Sequence, residues 1–203
     1  MSSDLILAVC SANVCRSPLA ELLLARGLRE NSRVRVMSAG VSSREGGAIC
    51  SEVMELGDEE SWVAAAAAHR ARPAVPELLR NAALILVPSR DVRASVVLMA
   101  PEVRGRTYMF REAARLGEGF DAANQPSHVG PVERFAAHLD QARVTRGGIP
   151  DARTRWRRKG RGAEIDIADG HGRRRRVHRA VLGGVLEATN TIVGHLGGDR
   201  VVF

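Results

Sequence analysis

The stretch Leu5-Ile6-Leu7-Ala8-Val9-Cys10-Ser11-Ala12-Asn13-Val14-Cys15-Arg16-Ser17-Pro18, followed by LAELLLARGLRE, constrains this chain more than any other. Residues 4–9 form a short continuous apolar run, which suits a strand buried on both faces of a parallel sheet. The run that follows has Leu19, Leu22, Leu23 and Leu24 against polar Glu21, Arg26 and Arg29, and it reads as a helix. Pro18 is a good helix start, because proline there loses no needed donor. The opening is therefore strand, loop, helix, with two cysteines and one arginine in the loop.

Such a loop is placed to bind an anion. Ligands in open α/β sheets sit beyond the carboxyl ends of the strands. A helix N-terminus presents unsatisfied N–H groups and partial positive charge. Arg16 adds a planar fork suited to phosphate-like oxygens. Positive charge beside a thiol favours its thiolate. A cysteine at the first position would face an anion cradled by the amides that follow.

Later segments repeat the alternation. Val34–Met37 reads as a strand ending in the turn Ser38-Ala39-Gly40. Residues 47–57 read as a helix, and 58–68 are helix-permissive but ambiguous. Leu84–Val87 is a strand, followed by a helix to about Met99. A strand over Arg106–Phe110, a helix at 111–116, a helix over Pro131–Arg143 and a C-terminal helix over 173–196, weakened by Gly183 and Gly184, complete the pattern. Alternating strands and helices imply a parallel sheet with right-handed crossovers. The 203 residues suit one α/β domain.

Charge and cysteine usage narrow the class. The net charge is +7, and residues 143–179 hold 13 of the 30 Lys and Arg but only 4 of the 23 Asp and Glu. The excess is thus one segment, read as a solvated basic stretch. Apart from Trp156 it lacks the aromatic interleaving of a nucleic-acid surface, so nucleic acid is not an expected partner. Residues 144–163, with Gly147, Gly148, Pro150, Gly160 and Gly162 among arginines, read as an irregular surface loop. Three cysteines make neither a disulfide framework nor paired zinc spacing. No metal and no organic cofactor are expected, and Cys50 reads as core or surface filler. The N-terminus lacks the basic region of a signal peptide, and no apolar run approaches a membrane span, so a cytoplasmic setting without membrane attachment is expected. The oligomeric state is left open.

The loop resembles the signature of low-molecular-weight protein tyrosine phosphatases: cysteine, five residues, arginine, then Ser-Pro. Ser38-Ala39-Gly40 resembles the family's SAG turn, and His69-Arg70-Ala71-Arg72 its His-x-Ala-Arg element. Ile167-Ala168-Asp169-Gly170-His171-Gly172 resembles its Asp-Pro-aromatic loop. The resemblance covers about residues 4–116 and 164–196, and leaves 117–163 as an insertion into one domain spanning 1–203. It implies a doubly wound α/β sheet of four parallel strands in the order 2-1-3-4. It further implies hydrolysis of phosphotyrosine-like monoesters, on a phosphorylated protein or a small phosphate monoester. Cys10 would be the nucleophile, forming a phosphocysteine. Arg16 would clamp phosphate, with the amides of Ser11, Ala12, Asn13, Val14, Cys15 and Arg16 around its oxygens. Ser17 would hydrogen-bond the Cys10 sulfur, while Asn13, Ser38 and His69 would hold the loop. Asp169 would protonate the leaving group and then activate water. Cys15 could pair reversibly with Cys10.

The chain departs from the family pattern at Ala12 (usually Gly), at Gly170 after the acid (Pro in the family), and at His171 and Gly172 in place of aromatics. The loop VSSREGG after Gly40 lacks an aromatic wall. Val14 matches tyrosine-directed members, whereas arginine-phosphate-directed members carry Thr. A shift in loop alignment would make Asp166 the acid. Two alternatives stay open: an arsenate reductase using an external thiol, since residues 75–100 hold no cysteine, and a non-catalytic phosphate-binding module.

Overall fold

The structure is a computed structural model and describes residues 4–122, 128–145 and 165–203. Four strands, β1 (Leu5–Cys10), β2 (Arg35–Gly40), β3 (Leu84–Val87) and β4 (Thr107–Met109), form one sheet in the order β2-β1-β3-β4. All three pairings are parallel, with Leu7 beside Met37 and Ile85, and Leu86 beside Tyr108. This is the expected order and architecture. The helices are α1 (Arg16–Gly27), α2 (Ser51–Met54), α3 (Glu60–Ala68), α4 (Pro76–Asn81), α5 (Arg90–Met99), α6 (Phe110–Leu116), α7 (Pro131–Thr145) and α8 (Arg175–His195), and a 3-10 turn spans Pro101–Arg106.

Alternation along the strands explains why β1 and β3 are apolar throughout. Ile6, Ala8, Leu84 and Leu86 point to one layer, built from α1, α3, α6, α7 and α8. Leu5, Leu7, Val9, Ile85 and Val87 point to the other, against α4, α5 and the 3-10 turn. Both faces of β1 and β3 are covered, which is why these two strands are apolar from end to end.

Several boundaries differ from the sequence reading. Helix α1 starts at Arg16, so Pro18 is its third residue. That costs nothing, because the first four N–H groups of a helix have no internal partner. Strand β2 runs through Ser38 to Gly40 instead of turning there. Only Ser51–Met54 of residues 47–57 is helical. Helix α4 was not foreseen. Its short apolar content, with Leu79 as its one buried residue, gives little periodicity to read. Helix α8 runs unbroken through Gly183 and Gly184; a Cβ at Gly184 would lie 2.9 Å from Arg111 Nη2, so the glycine makes room for that side chain. Most of the basic 144–163 loop, with Trp156, lies outside the described residues.

Helix α7 belongs to the core. Val132, Phe135 and Leu139 are fully buried, and Phe135 meets Phe120 edge-on with centroids 5.1 Å apart. We predict that Phe135→Ala lowers the unfolding free energy by roughly 3–5 kcal/mol in a denaturant titration, as for a core aromatic. An unchanged midpoint would mean that α7 is an appended surface helix.

The first turn of α8 opposes its own dipole, with Arg173–Arg176 crowded there. The compensation comes from α2. Arg175 pairs with Glu52 (Nε–Oε1 3.0 Å) and with Glu55, and Arg179 Nε lies 3.1 Å from Glu52 Oε2. Glu52 is held below the usual glutamate value: desolvation opposes its charge, but hydrogen bonds and charge from Arg179 and Arg175 outweigh it. A carboxylate depressed in the folded state stabilises the fold above its unfolded pKa and loses that effect as pH falls through the folded value. Arg175→Ala/Arg179→Ala should therefore lower stability at pH 7 and change it little at pH 3, measured by urea unfolding at both pH values. Equal losses at both would show that packing, not charge, is what the arginines supply.

Candidate active site

The loop between β1 and α1 is braced from three sides. Asn13 sits at φ 57°, the only described non-glycine residue in the left-handed region, which asparagine tolerates better than most. Its buried side chain is fully used. Nδ2 donates to Ser38 Oγ (2.8 Å) and Ser17 Oγ (3.0 Å), and Oδ1 accepts from the Arg72 amide (2.9 Å). His69 Nε2 donates to the Asn13 carbonyl (2.9 Å), and Nδ1 lies 3.8 Å from Glu21 Oε2. Ser38 Oγ donates to the same carboxylate oxygen. The residues expected to support the loop thus form one connected network. Glu21 is a member that the sequence reading passed over as a polar helix residue.

Backbone closes the remaining side. The Val41 and Ser42 amides donate to the Cys10 and Ser11 carbonyls, and the Cys50 amide donates to the Val14 carbonyl. Ser43 Oγ donates to the Ala12 carbonyl (3.0 Å), so Ala12 is held by the outer loop despite its exposure. Gly40 is required by this approach: a Cβ there would lie 2.6 Å from Ser11 O and 2.8 Å from Asn13 N. Glycine alone fits.

Cys10 lies at the floor of this loop, 3% exposed. Its sulfur accepts from the Asn13 amide (3.3 Å) and from Ser17 Oγ (3.0 Å). Ser17 Oγ also lies 3.2 Å from the Ala39 carbonyl, so its single proton has two acceptors to choose between. Arg16 is buried, its side chain 6% exposed. Its Nη1 donates to the Ile167 carbonyl (3.4 Å), and its Nη2 to Ser11 Oγ (3.4 Å) and to Asp169 Oδ2 (2.5 Å). The other Asp169 oxygen accepts from the His171 amide (3.0 Å).

Asp166 is turned elsewhere. It accepts from the Arg90 amide (3.1 Å) and from Arg90 Nε and Nη2 (3.0 and 2.6 Å), at the start of α5. With the Ile167 amide bonded to the Pro88 carbonyl (2.7 Å), Asp166 anchors the segment that presents Asp169.

Cys50 packs against the core, and it also has neighbours that the sequence reading did not anticipate. Its sulfur lies within 4.8 Å of both Cys15 Sγ and a His178 ring nitrogen. The Cys15 thiol is pushed up by its hydrogen bond with Cys50 and by burial, and Cys50 is lowered by the same bond. Cys15 Sγ also lies 3.1 Å from His171 Nδ1. These four residues come together only when α8 docks on α2, which no local sequence pattern announces.

Comparison with known proteins now decides the family. A model described as low molecular weight phosphotyrosine protein phosphatase matches residues 5–121. The chain belongs to this phosphatase family. It is 37% identical over 111 residues to the low molecular weight protein-tyrosine-phosphatase Etp of Escherichia coli (strain K12), covering 52% of this chain and 68% of that one. It is also 29% identical over 136 residues to the protein-arginine-phosphatase of Geobacillus stearothermophilus, covering 67% and 86%. In fold it is similar to the crystal structure of the Erwinia amylovora tyrosine phosphatase AmsI, with a TM-score of 0.61, 22% identity, and coverage of 94% and 91%. These relatives are phosphatases, so the arsenate-reductase alternative is not favoured, and a cysteine-dependent phosphatase is. No described helix is long and apolar enough to cross a membrane.

Gly40 gives a test of the loop's bracing. Gly40→Ala should lower phosphatase kcat/KM about 100-fold, the scale of a misplaced catalytic loop, with far-UV circular dichroism unchanged. Gly105→Ala, where an added Cβ meets nothing within 4 Å, should be silent in both assays. Comparable activity for the two variants would remove the steric argument.

Proposed function

We propose that this phosphatase hydrolyses phosphotyrosine-like monoesters through a phosphocysteine, with Cys10, Arg16 and Asp169 as its catalytic residues. The observation that carries the reading is the convergence of Arg16 Nη2 on Asp169 Oδ2 at 2.5 Å, beside a loop whose floor is the Cys10 sulfur. Nucleophile, clamp and acid then belong to one cleft.

In this mechanism the Cys10 thiolate attacks phosphorus and forms an S–P bond, while the ester P–O bond breaks. Ser17 and the Asn13 amide hold the sulfur in place. Amides of Ser11, Ala12, Asn13, Val14, Cys15 and Arg16 and the Arg16 guanidinium surround the equatorial oxygens. A buried guanidinium needs a negative partner. The entering phosphate takes that place, and the displaced Asp169 carboxylate takes up a proton from solvent, which it then donates to the leaving oxygen. Asp169 then accepts a proton from the water that attacks the phosphocysteine, which releases phosphate and restores the thiolate. The Ser17 proton can turn to the Ala39 carbonyl while the sulfur carries phosphorus.

Substrate choice follows from the rim. Val14 is half-buried and aliphatic, and it offers a leaving group apolar contact rather than a hydroxyl. That supports an aryl phosphate over phosphoarginine, although relatives of both descriptions match. We read the chain as one domain with an insertion near 117–163, supported by the end of the family match at residue 121 and by α8 packing back on α1.

A hydrolysis panel of an aryl phosphate, a phosphotyrosine peptide and phosphoarginine tests the assignment. Cys10→Ser should abolish turnover. Asp169→Asn should lower kcat about 100- to 10,000-fold, the range of a lost general acid, and Asp166→Asn should stay within a few-fold of wild type. Equal losses for the two carboxylate variants would overturn the choice of acid, and faster turnover of phosphoarginine would overturn the substrate class.

A further inference from the structure

We propose that Cys15, Cys50 and His178 form a binding site for a zinc-type divalent ion, with His171 as its fourth ligand. One donor atom from each of the first three lies within 4.8 Å of the other two. Cys50 Sγ to His178 Nε2 is 3.9 Å, and Cys15 Sγ to His171 Nδ1 is 3.1 Å. Tetrahedral zinc with ordinary Zn–S and Zn–N bonds spaces neighbouring donors roughly 3.5–3.8 Å apart. The three inner donors need side-chain adjustments of about an ångström to close on an ion, and His171, already beside Cys15 but outside that mutual spacing, turns inward to complete the shell.

The chemistry of the set is as selective as its geometry. It holds two thiols and two imidazoles and no carboxylate, the soft N/S combination that suits zinc and not magnesium or calcium. Cys15 and His178 are 4% and 6% exposed, Cys50 is half-buried, and His171 stands at the exposed mouth. An ion would therefore be shielded by protein on the Cys15 and His178 side, with His171 on the solvent side. Two thiols packed in a core would not need imidazoles aimed at them from two different segments.

The pocket is also held without an ion. Cys50 is the residue before α2, and its amide bonds to the Val14 carbonyl, beside Cys15. His178 lies in the first turns of α8, which Arg175 and Arg179 fasten to Glu52 of α2 and to Glu55, the residue after it. The site is separate from the nucleophile, because the Cys10 sulfur is taken by the Asn13 amide and Ser17. On binding, each thiol releases its proton to solvent and nothing is oxidised or reduced. The bound ion would tie the anion loop, α2 and α8 to the turn that follows Asp169, and so limit the movement of that acid away from Arg16.

Titration of fully reduced, chelator-treated, oxygen-free protein with Co2+ tests this directly and needs no assay of turnover. One equivalent should bind with the intense visible bands of tetrahedral cobalt and a thiolate-to-cobalt charge-transfer band, and Zn2+ should displace it. Cys50→Ser and His178→Gln should each weaken binding at least about tenfold, whereas Cys10→Ser should leave spectrum and affinity unchanged. His171→Ala, at an exposed turn, supplies a variant whose folding is not at risk, and it should alter the visible bands. The proposal is overturned by no uptake, by a weak octahedral spectrum, by binding that survives Cys50→Ser, or by binding lost in Cys10→Ser. It is equally overturned if Cys15 and Cys50 join in a disulfide and the protein takes up no metal after reduction.

Discussion

Everything in the site depends on Asn13 holding a backbone shape that most residues resist. A loop that wraps amides around an anion cannot satisfy those amides within a helix or a strand. The left-handed turn at residue 13 therefore has to be stabilised by something other than regular structure. The asparagine amide supplies it, reaching Ser17 on α1, Ser38 on β2 and the Arg72 backbone at once. Each partner comes from a different segment, so the loop is fixed only when the sheet and the residue 69–72 segment are both in place. A buried amide left with a missing partner costs about 1–3 kcal/mol, which gives the network its all-or-none character.

The second constraint is the burial of Arg16. An arginine residue only 5% exposed is tolerable only with charge and hydrogen bonds around its guanidinium. Without an anion in the loop, that charge comes from Asp169. The pairing serves two ends in the proposed reaction. It neutralises the clamp while the loop waits, and it parks the acid beside the phosphate position. Asp166 makes this possible by anchoring the same segment on Arg90, so that only the residues beyond Ile167 need to move.

Much of this was legible in the sequence, for reasons that are local. An apolar strand, a loop with Cys10 and Arg16 six residues apart, and a helix behind it are read within eighteen residues. The parallel sheet follows from alternation. What failed to show was long-range. Glu21 looked like an ordinary exposed helix residue, because its partners Ser38 and His69 come from β2 and the end of α3. Cys50 looked idle because its neighbours are a residue of the anion loop and one on the last helix. Arg173–Arg176 looked like a solvated run working against the helix dipole, until α2 and the residue after it supplied Glu52 and Glu55 for Arg175. Short segments such as α4 escaped because one buried leucine carries no period.

The α2–α8 contact is where these hidden features meet, and its logic is electrostatic before it is chemical. Helix α2 is a single turn of four residues, too short to persist on its own propensity. Its position is set by what holds it from outside: Val53 in the core, and the carboxylates of Glu52 and Glu55 against two arginines of α8. Those exposed pairs are individually weak, yet they act in concert on one turn and so fix its rotation about its own axis. That rotation decides where the residue preceding the turn points its side chain. With α2 so turned, the Cys50 sulfur faces Cys15 and His178 rather than solvent. A cluster of surface charges thereby determines which groups lie behind the anion loop.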